Sequence, residues 1–257
     1  MLALPRRLFR KLFPRRRDPL LDGEFKQYAH DARNESAYRA LIDPNDPFVA
    51  ARYFEGIRWR NVLAAFTPAP ARLLDVGAGD GAIELALSAG GYSAYSVEPL
   101  WNDVARRLGV RRVIADAESL PFRCGVFDAL VCLETLEHLV RPRAVASELA
   151  RVTVPNAVML LTTPPRWRFA FRRDPHFGIR GLLLLPTSLQ RRAAPEHFVD
   201  RIYGSVKQIE RALSPFHVER VLSRTRTPRR WFWDAIVLRK RPGHSHSIVL
   251  GGFEEMS

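Results

Sequence analysis

The chain has 257 residues, 47% of them hydrophobic, enough for one sizeable α/β domain with additions and short for two full ones. No apolar run reaches the roughly 18 residues of a membrane span, and Met1–Arg17 interleaves basic and apolar residues, unlike a secretory leader. Two cysteines, Cys124 and Cys132, cannot make a disulfide framework, so a reduced, cytoplasmic setting is expected.

The formal charge of +13 is uneven, because Met1–Arg17 holds seven Lys/Arg and no acid, and Pro164–Arg192 holds seven Arg against Asp174 alone. Basic rims suit an anionic partner, whether nucleic acid, membrane surface or acidic substrate. Arg as a default surface residue is the plainer alternative. In Pro5–Phe13, Leu8, Phe9, Leu12 and Phe13 fall at helical spacing, the pattern of a short interfacial helix or of a disordered basic start. Peripheral contact with an anionic membrane at the inner face therefore stays open. Helices are expected at Asn34–Ile42 and Phe48–Phe66, separated by a Pro- and Asp-rich turn.

From Leu73 the pattern alternates strand and helix, which predicts a parallel sheet with crossovers. Strands are expected at Leu73–Val76, Ser93–Glu98, Arg112–Ala115, Phe127–Leu133 and Ala157–Thr163, with helices near Ala82–Ala89, Trp101–Leu108 and Arg143–Val152. Pro164–Pro195, rich in Pro, Arg and aromatics, follows a strand's C-terminal end, where loops cover ligands, and is expected to be a lid. His176 within it and His197 just beyond it are candidates to face an acceptor. A helix near Ser205–Leu213 and strands at Phe216–Leu222 and Trp231–Arg239 complete the chain; Ser223–Arg230 is too short for a crossover, so the last two strands should pair antiparallel.

The turn Gly77-Ala78-Gly79-Asp80-Gly81-Ala82 fits a dinucleotide pattern, with Glu98 at the distance of a ribose acceptor. Asp75 and Asp80 argue against it. A pyrophosphate beside Asp80 meets a repulsion that a helix dipole worth about 0.3–1 kcal/mol offsets poorly. A ligand carrying an ammonium and a sulfonium is instead attracted.

With that turn the sequence resembles the class I, seven-stranded S-adenosylmethionine-dependent methyltransferases over about Leu63–Arg239. The motifs are Leu74-Asp75-Val76-Gly77-Ala78-Gly79-Asp80-Gly81, Val97-Glu98-Pro99, Asp116-Ala117-Glu118-Ser119-Leu120-Pro121-Phe122, Phe127–His138, and Glu148–Val152 followed by Pro155-Asn156. In that last turn the family usually has Pro-Gly-Gly, a mild departure. The resemblance implies a Rossmann-like, mostly parallel sheet with helices on both faces and an antiparallel last strand. It also implies S-adenosyl-L-methionine as cofactor. Asp75, Gly77, Ala78 and Gly79 would hold its methionine end, Glu98 and Pro99 its ribose, Asp116 and Ala117 its adenine, with Leu133 nearby.

Glu134, Glu137 and His138 stand at i, i+3 and i+4 and share one side if the segment is helical. They can then ligate a divalent cation, as in the ubiquinone-type O-methyltransferases this block resembles, or His138 can take a proton from a hydroxyl; buttressing the pocket is the plainer role. The expected organisation is a basic extension over 1–33, a methyltransferase domain over 34–240 with a lid at about 164–195, and a loose tail over 241–257. The expected activity is O-methylation of a small hydroxylated or lipid-like molecule. RNA or protein methylation, and a non-catalytic cofactor-binding module, are the alternatives. Nucleic acid rests on charge alone, since no aromatic platform interleaved with Lys/Arg stands out beyond Arg229–Trp233. Tyr203-x-x-x-Lys207 matches a short-chain dehydrogenase pair but lacks that family's glycine turn. Thr163-Pro164-Pro165-Arg166-Trp167 resembles an amine-methylating motif, but follows the fifth strand rather than the fourth.

Overall fold

A computed structural model describes residues 47–170, 179–193, 203–223 and 233–242. Met1–Arg17, Asn34–Ile42, His176 and His197 lie outside the described residues. A helix α1 (Pro47–Ala64) leads into β1 (Arg72–Val76), α2 (Ala82–Ala89), β2 (Ser93–Glu98), α3 (Asp103–Leu108) and β3 (Arg112–Ile114). Then come β4 (Phe127–Leu133), a 3₁₀ turn (Leu136–His138), α4 (Pro142–Val152) and β5 (Thr153–Thr162). Two further 3₁₀ turns (Arg166–Ala170 and Leu182–Leu184), α5 (Thr187–Ala193), α6 (Val206–Ala212), β6 (Phe216–Leu222) and β7 (Ala235–Lys240) follow. No helix among the described residues is long and apolar enough to cross a membrane.

The seven strands form one sheet in the order β3-β2-β1-β4-β5-β7-β6, parallel except for β7, which runs antiparallel to both β5 and β6. The central strands β1, β4, β5 and β7 are buried on consecutive positions because both faces are covered. Leu74, Leu130, Met159 and Leu161 point to one face, under Val145 and Leu149 of α4 and Ile209 of α6. Leu73, Ala129, Val131 and Leu160 point to the other, against Trp59 and Leu63 of α1 and Ile83 and Leu87 of α2. There α1 lies so near α2 that a Cβ at Gly56 would stand 2.7 Å from that of Ala86.

Several boundaries differ from the sequence reading for local reasons. Helix α3 starts at Asp103 rather than Trp101, because Asn102 Oδ1 accepts from the amides of Val104 (2.9 Å) and Ala105 (3.2 Å), a side-chain cap. Strand β5 starts before Ala157 and bulges, pairing Phe127 with Thr153 but Ala129 with Val158. Asn156 within that bulge adopts φ 61°, so it fills the left-handed position for which glycine is the usual residue. β7 begins at Ala235, because Trp233 is used beforehand, its Nε1–H donating to the Thr163 carbonyl at 2.8 Å. Within the expected lid, the described residues form the 3₁₀ turns and α5, and Arg166 donates to the Leu184 carbonyl to tie the two turns together.

Candidate active site

Between β1 and β4 the strand order reverses direction, and at their C-terminal ends the glycine turn and the 3₁₀ turn face each other. Such switch points leave a crevice in open α/β sheets. Gly77, Gly79 and Gly81 have φ of 73°, 57° and 81°, which turns the chain from β1 into α2 within five residues. Gly77 is fixed by a neighbour as well. A Cβ on it would lie 2.4 Å from Thr135 Oγ1, which itself sits 3.1 Å from the carbonyls of Val76 and Leu133. Thr135 thus bolts the turn to the end of β4, a role that nothing in its position along the chain announces.

Asp80 resolves the question its charge posed. Its Oδ1 accepts from the Ala82 amide at 3.0 Å, occupying the start of α2 where a phosphate would otherwise sit, and Arg52 of α1 stands 3.9 Å away. The Gly79 peptide is held from both sides, its N–H donating to Glu98 Oε2 at 3.1 Å and its C=O accepting from Arg112 Nη2 at 2.7 Å. One Glu98 oxygen is therefore engaged by the turn, and the carboxylate is aimed across the crevice.

The crevice is a cavity of about 300 Å³. Of the expected site residues, Gly77, Glu98, Pro99, Asp116, Ala117, Glu134 and His138 line it. Asp75, Ala78, Gly79, Leu133 and Glu137 do not. Glu118, Thr135, Leu139 and Val140 line it without having been singled out. Its wall carries four carboxylates, Glu98, Asp116, Glu118 and Glu134, and no Lys or Arg among the described residues. Such a wall attracts a sulfonium and an ammonium and repels a pyrophosphate. The residues present thus fit S-adenosylmethionine. Asp116 keeps its loop folded by accepting from the Glu118 amide at 2.9 Å, and Glu118 is ion-paired outward to Arg141.

The expectation that Glu134, Glu137 and His138 share one side is not met. The segment is a single 3₁₀ turn, and Glu134 precedes it at φ 50°. A non-glycine residue there costs on the order of 1–3 kcal/mol and is characteristic of functional turns. Glu134 and His138 face the cavity. Glu137 turns inward, 3% exposed, with Oε2 accepting from Thr163 Oγ1 at 2.8 Å. Burial, and then the neighbouring Glu134 charge, push its carboxyl up to about 7. Burial also raises Glu134, opposed by Arg168 and Arg52. Among the described residues no three His, Cys, Asp or Glu side chains gather as metal ligands, and Glu137 is turned away from the cavity that Glu134 and His138 line. Asp75 is likewise a core residue, 2% exposed, with its carboxyl pushed up to about 7 by burial and by Glu84, against the pull of Arg52 and Arg112.

Residues 48–203 match the model of a family described as "Methyltransferase domain". Among curated relatives, a ubiquinone biosynthesis O-methyltransferase from Dechloromonas aromatica is 29% identical over 145 residues, 52% of this chain and 61% of the relative. One from Xanthomonas axonopodis pv. citri is 31% identical over 138 residues, 50% and 58% of the two chains. The chain thus spans less than two-thirds of either relative's length. Among solved structures, a protein from Pyrococcus horikoshii superposes with a TM-score of 0.59 at 16% identity, covering 79% of this chain and 98% of its own. An S-adenosylmethionine-dependent methyltransferase from Mesorhizobium loti gives 0.53 at 18%, covering 74% and 98%. At those identities the likeness is one of fold.

Proposed function

Because the chain belongs to the class I S-adenosylmethionine-dependent methyltransferases, we propose that it methylates an oxygen of a small hydroxylated or lipid-like molecule. The observation that carries the reading of the site is the acidic cavity wall, four carboxylates and no Lys or Arg among the described residues, at the sheet's switch point. The acceptor class is supported by the relatives, which are ubiquinone biosynthesis O-methyltransferases.

When bound, S-adenosylmethionine supplies an electrophilic methyl on a positively charged sulfur. In this reading Glu98, with one oxygen already held by Gly79, accepts from the ribose hydroxyls with the other, and Asp116 with Ala117 holds the adenine side. The glycine turn offers bare backbone to the amino-acid end, near Gly77 and Ala78. Pro99 shapes the wall beside it, and Leu133 is buried in the core. Glu134 stabilises positive charge on the acceptor side. His138 takes the hydroxyl proton as the oxygen–carbon bond forms and the carbon–sulfur bond breaks. Positioning supplies much of the rate of such an in-line displacement. Glu137 acts from behind, holding the 3₁₀ turn to Thr163.

The test is a transfer assay with methyl-labelled cofactor and a cell extract, followed by fractionation. Label in a small organic-soluble molecule supports the proposal, whereas label confined to RNA or protein contradicts it. With the acceptor in hand, His138→Ala should lower kcat by about 10²–10⁴-fold with S-adenosylhomocysteine affinity little changed. Unchanged kcat would remove His138 as the base.

A further inference from the structure

A second concavity, of about 330 Å³, lies between the start of α4 and the outer side of α6. Arg141 and Arg143 reach it from α4, and Arg211 and Gln208 from α6. No Asp or Glu is among its lining residues. Among the described residues neither Arg143 nor Arg211 is ion-paired, and both side chains are exposed. Arg141 is already paired with Glu118. Gln208 accepts from the Gly204 amide through Oε1 at 2.7 Å, which leaves its NH₂ as the donating end. Helix α4 has no acid in its first turn and no side-chain cap, so its N-terminal partial charge adds to the guanidinium groups.

Like charges gathered around one hollow repel each other, and a bound anion relieves that repulsion while accepting forked hydrogen bonds. From this geometry we propose that the groove is an anion site that takes a phosphate group, with Arg143 and Arg211 as its main ligands and Gln208 as a neutral donor. It does not depend on the methyl-transfer reading. Its lining starts at Arg141, next in the chain to Leu139 and Val140 of the cofactor cavity's wall. The recognised chemistry is a phosphate group, whether on a soluble compound or on a lipid.

Inorganic phosphate titrated calorimetrically into the full chain, with ionic strength held constant by sodium chloride, should bind saturably. The double variant Arg143→Gln/Arg211→Gln should weaken that binding by roughly tenfold or more. S-adenosylhomocysteine affinity should be unaltered in the variant, which shows that it is folded. Absence of saturable binding, or equal affinity in the variant, overturns the site. Cosedimentation with phosphatidylcholine vesicles containing phosphatidate separates the sources. Sedimentation that the variant loses supports a lipid headgroup, and phosphate binding without sedimentation supports a soluble phosphate compound.

Discussion

Asp75 lies where strand, turn and buried charge meet. It pairs in register with Ser96 and Val131, two residues before the first turn glycine, and its Oδ2 has no hydrogen-bond donor among the described residues. With its carboxyl at about 7 in the fold against an ordinary 3.8, the folded chain keeps a proton that the unfolded chain has lost. The folded state thus binds more protons between those values, so this residue's contribution makes stability fall as pH rises from about 4 to about 7, by up to roughly 1.4 kcal/mol per pH unit. Above that window the contribution is level. Asp75→Asn should remove it, so that urea-unfolding free energies of variant and wild type diverge in the variant's favour from pH 4.5 to 7. A constant difference across the range would show that Asp75 is ionised throughout. The sequence marked Asp75 as a ligand contact, because a carboxylate at a strand end is the same letter whether it faces a cavity or a core.

At the scale of elements, the cofactor-side loop is held by a helix. Arg151 of α4 donates from Nη1 to the Phe122 carbonyl at 2.8 Å and from Nη2 to that of Leu120 at 2.9 Å, while Glu148 braces it at 2.6 and 2.7 Å and accepts from the Leu120 amide at 2.8 Å. Glu148 holds the guanidinium so firmly that its pKa is raised further still. The loop it fastens contains Asp116, Ala117 and Glu118 of the cavity wall. Arg151→Ala should cost about 1.5–3 kcal/mol of stability and weaken S-adenosylhomocysteine severalfold, with Arg151→Lys intermediate because an ammonium cannot fork. Denaturation and calorimetry check this; stability within about 0.5 kcal/mol of wild type would contradict it. Sequence showed Glu148 and Arg151 as a motif but not their partners, which lie about 30 residues upstream. It read α2, β2, β4 and β6 to the residue, and β4, buried on both faces, leaves a nearly unbroken apolar pattern. It misjudged Glu134–His138, because a three-residue 3₁₀ turn has no period to detect.

At the scale of the molecule, the charge is arranged in opposition. The chain carries +13 overall, yet the cavity at the switch point is walled by carboxylates, while arginines gather in the groove between the start of α4 and α6. The seven-stranded, mostly parallel sheet and the antiparallel β7 were legible from spacing and from the family resemblance. Of the wall carboxylates, Glu98, Asp116 and Glu134 were expected; Glu118 was not, and neither was the inward turn of Glu137, which follows from the 3₁₀ geometry after the left-handed Glu134. The acidic wall yields the most direct measurement, calorimetric titration of S-adenosylhomocysteine into the wild-type chain and Glu98→Ala. The wild type should bind saturably, and the variant should lose about 1.5–3 kcal/mol, roughly 10- to 150-fold in Kd. Saturable binding of a nicotinamide dinucleotide, with no heat from S-adenosylhomocysteine, would contradict the account.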